Sequence, residues 1–294
     1  MRLFKKRDPS VGTFVLGLGA QKAGTSWLFS YFRTVPEIHT GFMKEYHVLD
    51  SLHVYKMRGT QKTLADRTIQ ALKKGNYQTS PCPWMLKRMA MLADTEFYYD
   101  YFEHLLLKHG GLTCDMTPSH MALPTTAMQI VKDNFAARNI RVRPLLLMRD
   151  PVERCWSAMR MDRRNGRLEQ YDDTYSESAM LSEEFKTEKQ RLRSNYAAAI
   201  KRIEQAFDET EVIYGFYETM FTNEFIQQLA DSLGFDFVEP NFDVHHNVSP
   251  KTDPLDDEVQ REIVQFFKGN YRFMARKFGD EFMRGIWPSY RFLD

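Results

Sequence analysis

Thr13-Phe-Val-Leu-Gly-Leu18 is a short apolar run that leads straight into Gly19-Ala-Gln-Lys-Ala-Gly24-Thr-Ser26. The run predicts a buried strand, and the glycines after it predict a tight turn. Residues 26–32 are amphipathic and precede Pro36, which indicates a helix that ends before the proline. This part of the chain therefore has the order strand, glycine turn, helix.

Strand and helix patterns alternate along the remaining sequence. Buried strands are predicted at 112–114, 142–148 and 211–216. Helices are predicted at 97–108, at 127–136, from residue 152 onward, at 187–207, at 225–233, and at 258–278 with a break near Gly269. Alternation of this kind is typical of an α/β fold, in which helices cover both faces of a parallel sheet. Ligands of such sheets bind beyond the carboxyl ends of the strands.

Length and composition indicate an ordinary globular chain. It has 294 residues, of which 43% are apolar and 27% charged, so we interpret 1–294 as a single domain. Residues 50–95 and 163–185 are expected to be insertions or substrate-side loops, the second of them polar, acidic and mobile. The net charge of +1 gives no reason to expect a nucleic-acid-binding surface.

Signals for membranes, secretion and metals are missing from the sequence. No apolar run approaches the ~18 residues that a transmembrane helix needs, and no secretory leader follows the basic N-terminus. Cys82, Cys114 and Cys155 are an odd number without metal-ligand spacing, which argues against a disulfide framework or a zinc site. These features predict a cytoplasmic protein that needs no metal.

The glycine turn predicts an anion site. Its glycines let the backbone curl, so that successive N–H groups and a helix N-terminus face a phosphate. Gly19 and Gly24 have the spacing of a nucleotide-binding P-loop, but Thr25 stands where that loop carries its lysine, and Lys22 lies inside the turn instead. The alternative is a simple strand-to-helix turn with a surface lysine.

A second motif, Arg149-Asp-Pro-Val-Glu-Arg-Cys-Trp-Ser157, follows the predicted strand 142–148. An arginine at the carboxyl end of a strand can bind a phosphate with its two-pronged guanidinium. Ser157, two turns into the following helix, can present a hydroxyl to the same place. The alternative is an exposed helix start with a solvated serine.

Residues 21–28 resemble the 5′-phosphosulfate loop of sulfotransferases that use 3′-phosphoadenosine 5′-phosphosulfate (PAPS), and residues 149–157 resemble their 3′-phosphate motif. The resemblance implies a P-loop-kinase-like α/β fold and PAPS as co-substrate. It implies that Lys22 stabilises the bridging oxygen and the sulfonate, and that Arg149 and Ser157 bind the 3′-phosphate. The residues implied around the 5′-phosphosulfate are Gln21, Lys22, Ala23, Gly24, Thr25, Ser26 and Trp27.

Lys44-Glu-Tyr-His-Val-Leu-Asp50 is a third candidate segment. If it is extended, its two-residue period puts Glu45 and His47 on one side, where a carboxylate beside a histidine can accept a proton. The segment resembles one in heparan-sulfate-type sulfotransferases, which implies Glu45 as general base, with His47 and Asp50 as supporting residues on the substrate side and Asp50 binding substrate. The alternative is a solvated charged loop.

Two further segments complete the resemblance. Asp115-Met-Thr-Pro-Ser119 resembles a segment near the acceptor, which implies that Thr117 and Ser119 bind substrate; the alternative is a turn in which both cap a helix. Met116 stands where saccharide enzymes often carry lysine. Lys251 lies where relatives cover the donor with a basic or glycine-containing loop, and the favoured alternative is an exposed loop lysine.

The sequence thus predicts transfer of a sulfonate from PAPS to a hydroxyl or amine of a small-molecule or saccharide acceptor, by in-line displacement with Glu45 as base. Two alternatives stay open at this point: a P-loop kinase acting on a small metabolite, and a non-catalytic nucleotide-binding module. The acceptor and the oligomeric state cannot be read from the sequence.

Overall fold

A five-stranded parallel sheet forms the centre of the molecule. The computed structural model describes residues 11–57, 59–75, 82–172, 174–244 and 254–293. Within these ranges the strands lie in the order β2-β3-β1-β4-β5, and every pair is parallel. The strands are β1 (Gly12–Gly19), β2 (Ile38–His39), β3 (Leu112–Asp115), β4 (Ile140–Met148) and β5 (Ile213–Phe216).

Helices connect the strands and follow the last one. They are α1 (Thr25–Phe32), α2 (Leu49–His53), α3 (Gly59–Lys73), α4 (Cys82–Ala93), α5 (Thr95–His109), α6 (Thr125–Ala137), α7 (Pro151–Arg164), α8 (Glu177–Glu184), α9 (Glu188–Ser194), α10 (Tyr196–Ala206), α11 (Asn223–Leu233), α12 (Asp257–Phe266), α13 (Lys268–Phe278) and α14 (Asp280–Ile286). Short 3₁₀ turns lie at Tyr55–Met57, Pro118–Ala122, Glu209–Glu211 and Pro288–Phe292. No helix in the described ranges is both long enough and apolar enough to cross a bilayer.

The central strand β1 shows that both faces of the sheet are covered. Successive strand side chains point to opposite faces, yet Phe14, Val15 and Leu16 are all completely buried. On one face the Phe14 ring packs against Phe102 of α5 and Phe135 of α6, with centroid distances of 4.8 and 4.2 Å. The predicted α/β fold with a central parallel sheet between helical layers is confirmed.

The position of β1 also fixes where a ligand can bind. β1 lies between β3 and β4: the chain adds β2 and β3 on one side of β1 and then crosses to add β4 and β5 on the other. Such a switch in strand order opens a crevice beyond the carboxyl ends of the strands. Here those ends carry the glycine turn after Gly19 and the Arg149 motif after Met148.

Two helical predictions need correction. The segment 163–185 contains α8, because Met180, Leu181 and Phe185 are apolar, become fully buried, and follow a Ser176 hydroxyl that accepts from the Ala179 amide at the helix start. The predicted helix 187–207 is interrupted at Asn195, whose side chain caps α10 by accepting from the Ala198 amide at 3.1 Å.

The carboxyl-terminal part also differs from the prediction. The break expected near Gly269 lies at Phe267, between α12 and α13. The helix α14 and the turn Pro288–Phe292 follow, and neither was predicted. The segment 50–95, expected as an insertion or substrate-side loop, contains the helices α2, α3 and α4.

Candidate active site

The glycine turn joins β1 to α1 in a curled conformation. Gly24 precedes α1 with φ of 87°, a left-handed conformation that favours glycine, and a Cβ there would clash with the sulfur of Met220. Lys22 also has a positive φ, at 71°. The turn thus brings the N-terminus of α1, the positive end of the helix dipole, to the carboxyl end of the sheet.

The Arg149 motif meets this turn directly. A guanidinium nitrogen of Arg149, Nη1, donates to the main-chain oxygen of Lys22 at 3.2 Å. Its other terminal nitrogen donates to Glu153 at 3.0 Å, and the guanidinium lies 4.1 Å from the centre of the Tyr217 ring. The two segments that the sequence predicted to bind phosphates therefore form one site.

Helix α7 contributes further cations beside Ser157. Arg160 and Arg164 lie three and seven residues after Ser157, so the three side chains share one face of the helix. Both arginines are close enough to Lys22 to repel its charge. This places the Ser157 face of α7 toward the glycine turn, and it adds two site residues that were not singled out from the sequence.

The lowered pKa of Lys22 indicates that several positively charged side chains lie close to it. Burial, together with repulsion from Arg164, Arg149, Arg160 and Lys44, lowers this pKa from 10.5 to about 8. Converging cations around a partly desolvated ammonium favour binding of a ligand with several negative charges. Among the described residues, no three His, Cys, Asp or Glu side chains are grouped so that they could hold a metal ion.

Asp150 anchors the second motif to the carboxyl-terminal turn. Its buried carboxylate accepts from the Ser289 amide at 2.8 Å and from the Tyr271 hydroxyl at 2.8 Å. Its own amide donates to Glu218 at 2.8 Å. Burial, together with the neighbouring Asp150, raises the pKa of Glu218 to about 7. Buried hydrogen bonds of Asp150 therefore fix the main chain next to Arg149.

Lys44 connects the glycine turn to the third candidate segment. Its ammonium donates to the Thr25 hydroxyl at 3.1 Å, to the Ser26 hydroxyl at 3.0 Å and to Glu45 at 2.8 Å. No role for Lys44 was predicted from the sequence. The signal that could have identified it is a lysine directly before the proposed base.

Glu45, His47, Asp50 and Ser119 form one hydrogen-bonded chain. His47 lies 3.3 Å from Glu45 through Nε2 and 2.7 Å from Asp50 through Nδ1. The Ser119 hydroxyl donates to the same Asp50 oxygen at 2.5 Å. The segment is not extended as expected, since His47 has φ of 52°, but Glu45 and His47 still come together.

Charges within this chain stabilise one another. Burial alone would raise the pKa of Glu45, yet His47 and Lys44 outweigh it and lower the value to about 2. Burial would lower the pKa of His47, but the hydrogen bonds with Asp50 and Glu45 raise it to about 9. In this state Glu45 is ionised and His47 is protonated at neutral pH.

Two residues that were predicted to bind substrate are buried. Asp50 and Thr117 are completely buried, and Thr117 donates to the buried Asp115 at 2.6 Å and accepts from the His47 amide. They therefore support His47 and do not present a surface to an acceptor. Ser119 is partly exposed and lies beside His47.

The structure also shows where the remaining residues predicted to bind the sulfonate donor lie, except for Lys251. Ala23 is buried, and the Trp27 indole is buried and donates to the Asn241 carbonyl at 3.2 Å, so both can offer only main-chain groups to a ligand. Gln21 accepts from Arg193 at 2.6 Å, which brings another arginine to the turn. Lys251 lies outside the described residues.

Comparisons with known proteins agree with this fold. No family model matches the sequence, and no curated protein matches it. A sulfotransferase from Alicyclobacillus acidocaldarius has a similar structure, with a TM-score of 0.57 and 18% identity over 89% of this chain and 94% of that one. The sulfotransferase domain of the Synechococcus PCC 7002 olefin synthase follows with a TM-score of 0.42 and 14% identity, over 80% and 78% of the two chains. The first likeness shows that this chain shares the fold of that bacterial sulfotransferase.

Proposed function

We propose that this protein is a sulfotransferase that uses PAPS as sulfonate donor. The observation that carries the proposal is the contact between Arg149 and the main chain of Lys22, at the carboxyl ends of β4 and β1. That contact joins two anion-binding segments in the crevice where an α/β fold binds its ligands. The fold shared with the bacterial sulfotransferase supports the same conclusion.

The donor fits the distribution of charge in the site. PAPS carries one anionic group on each side of its ribose, and the site offers cations from two separate segments. We assign the 5′-phosphosulfate to residues 21–27 and the α1 N-terminus, and the 3′-phosphate to Arg149 and Ser157. Positioning and electrostatic stabilisation would provide most of the catalysis, as in phosphoryl transfer.

The reaction we propose is a single displacement at sulfur. The acceptor oxygen or nitrogen forms a bond to sulfur, while the bond from sulfur to the bridging phosphate oxygen breaks. Glu45 takes the proton of the acceptor, and Lys22 neutralises the charge on the departing 3′-phosphoadenosine 5′-phosphate. His47 and Ser119 would orient the acceptor, with Asp50 and Thr117 fixing His47 from behind.

The acceptor side has the character of a polar surface. Glu45 and His47 are partly exposed, with 36% and 25% of their side chains accessible. Arg88 of α4 donates to the Tyr46 carbonyl at 2.7 Å, which attaches the α3–α4 pair to this edge of the site. We therefore assign α3 and α4 to the acceptor side, where a small molecule or a saccharide would bind.

Nucleotide-dependent thermal stabilisation tests the proposal. 3′-Phosphoadenosine 5′-phosphate, the product nucleotide, should raise the melting temperature by mass action, more than 5′-AMP or ATP-Mg²⁺ does. Arg149→Ala should abolish the shift. Arg141→Ala is the matched control, because Arg141 is exposed near the other end of the same strand.

The outcomes separate the alternatives. A shift with the 3′-phosphorylated nucleotide in the wild type and in Arg141→Ala, but not in Arg149→Ala, supports the assignment. A shift with ATP-Mg²⁺ alone would overturn it in favour of a kinase. A protein that no nucleotide stabilises would contradict both.

A further inference from the structure

The Lys44 ammonium lies between the proposed donor site and the proposed base. An ammonium has three N–H donors. Lys44 uses them on the Thr25 hydroxyl, the Ser26 hydroxyl and the Glu45 carboxylate, at 3.1, 3.0 and 2.8 Å. A further anion can therefore bind Lys44 only if one of these partners is given up.

Glu45 is the partner that an incoming anion would replace. The hydroxyls of Thr25 and Ser26 lie at the start of α1, where the donor's 5′ group is assigned, and hydroxyls can turn to donate to that group. Glu45 is the negatively charged partner, so it competes directly with a phosphosulfate for the same ammonium. An anion at the start of α1 and the Glu45 carboxylate therefore cannot both keep a short contact with the Lys44 ammonium.

The main chain of Lys44 is held by a hydrogen bond, and its side chain is partly exposed. The Met116 amide, just after β3, donates to the Lys44 carbonyl at 3.0 Å. The side chain is 19% exposed, and its long aliphatic stem can rotate between neighbouring acceptors. A change of partner therefore needs rotation of one side chain and no movement of the sheet.

We propose that Lys44 couples the two halves of the site: it holds Glu45 when the donor is absent and turns to the donor's phosphosulfate when it binds, which frees Glu45 for the acceptor. This inference rests on the proposed function. It gives Lys44 two duties, binding the donor and positioning the base. It also explains how a carboxylate that is ion-paired on both sides can become available only after the donor has bound.

A change of partner has a further effect on Glu45 as a base. With Lys44 and His47 both in contact, the pKa of Glu45 is low, and a carboxylate with a low pKa is a weak proton acceptor. Loss of Lys44 leaves His47 as its close cation, so its pKa rises toward the ordinary value. Proton transfer would then be favoured in the donor-bound state and disfavoured in the empty enzyme.

A double-mutant cycle on nucleotide affinity tests the coupling. If Glu45 competes for Lys44, Glu45→Gln should tighten binding of 3′-phosphoadenosine 5′-phosphate, whereas Lys44→Met should weaken it about tenfold. In the Lys44→Met background, Glu45→Gln should then leave the affinity unchanged, because there is no shared cation to release. Dissociation constants come from isothermal titration calorimetry on the full chain.

A second nucleotide locates the effect within the site. Adenosine 3′-phosphate lacks the 5′ group, so Lys44→Met should leave its affinity unchanged, whereas Arg149→Ala should weaken both nucleotides. Lys44→Gln repeats the measurement if Lys44→Met does not fold, as judged by circular dichroism and a cooperative melt.

Each outcome has one meaning. If Glu45→Gln tightens binding equally with and without Lys44, the effect is only long-range charge and the coupling is overturned, although the sulfotransferase assignment stands. The same holds if Lys44→Met weakens both nucleotides alike. If the wild type binds neither nucleotide, the proposed function fails and this inference fails with it.

Discussion

The guanidinium of Arg149 donates a hydrogen bond to the main-chain oxygen of Lys22 at 3.2 Å, although 127 residues separate them in sequence. Because a main-chain oxygen is the acceptor, the contact depends on the path of the glycine turn and not on the identity of the Lys22 side chain. The hydrogen bond from Arg149 is therefore expected to remain when the Lys22 side chain is replaced. A substitution of Lys22 then changes the charge of the site without moving Arg149.

Lys22 should make nucleotide affinity depend on pH. Its pKa is about 8, so its positive charge is lost as the pH rises through that value, and the affinity for 3′-phosphoadenosine 5′-phosphate should fall from about pH 7 to about pH 9.5. Lys22→Arg should bind with a flatter profile, because a guanidinium stays protonated throughout. Titration calorimetry across this range is the measurement. Identical slopes in both proteins would show that another group titrates.

Glu45→Gln should lower turnover by about 10²-fold or more, the usual contribution of a general base. The amide keeps the shape of the side chain but cannot accept the acceptor's proton. Turnover is measured as release of 3′-phosphoadenosine 5′-phosphate from PAPS in the presence of an acceptor found by screening alcohols, amines and saccharides. Glu258→Gln, on the exposed face of α12, is the control. Wild-type turnover in Glu45→Gln would remove it as the base.

His47 should stabilise the folded protein at low and neutral pH more than at high pH. Its pKa is raised from 6.5 to about 9, so the folded state holds a proton that the unfolded state releases. The stabilisation is complete below about pH 6.5 and is lost as the pH rises through about 9. The free energy of unfolding in urea should fall by about 2 kcal/mol more in the wild type than in His47→Gln over this window. Parallel profiles of the two proteins would contradict the raised pKa.

Gly24→Ala should abolish or strongly weaken nucleotide binding. Alanine is disfavoured at φ of 87°, and its Cβ would clash with the Met220 sulfur, so the turn must change its path. Gly269→Ala is the matched control, since a Cβ at that helical position in α13 meets no neighbouring atom. A nucleotide-induced rise in melting temperature that is equal in both variants would argue against this turn as the phosphate site.

Local sequence signals predicted the fold and which strand ends carry part of the candidate site. In the apolar run before Gly19 the side chains are buried from Phe14 onward, and residues 142–148 before Arg149 are all buried. Such continuous apolar runs indicate buried strands without any tertiary information. Strand ends carry the ligand site in α/β folds, which made Lys22 and Arg149 recognisable together. The α8 helix was missed because polar residues surround its few apolar ones, and burial against neighbouring elements decided its conformation.

The contacts between distant segments were beyond sequence reasoning. Arg193 donates to Gln21 across 172 positions, and no periodicity relates the two. Lys44 touches the hydroxyls of Thr25 and Ser26 only because the chain returns to the end of β1 after α1. His47 reaches Glu45 through a left-handed backbone that an extended pattern does not describe. Such contacts follow from topology, which a linear pattern does not specify.

The anchoring of Asp150 by Ser289 has a consequence for biosynthesis. A ribosome completes residues 21–27 and Arg149 long before it adds the turn Pro288–Phe292, so a nascent chain contains both anion-binding segments while the Asp150 carboxylate still lacks the Ser289 amide and hydroxyl. A buried carboxylate without its donors is costly. We therefore expect the proposed nucleotide site beside Arg149 to be completed only after translation has passed this turn.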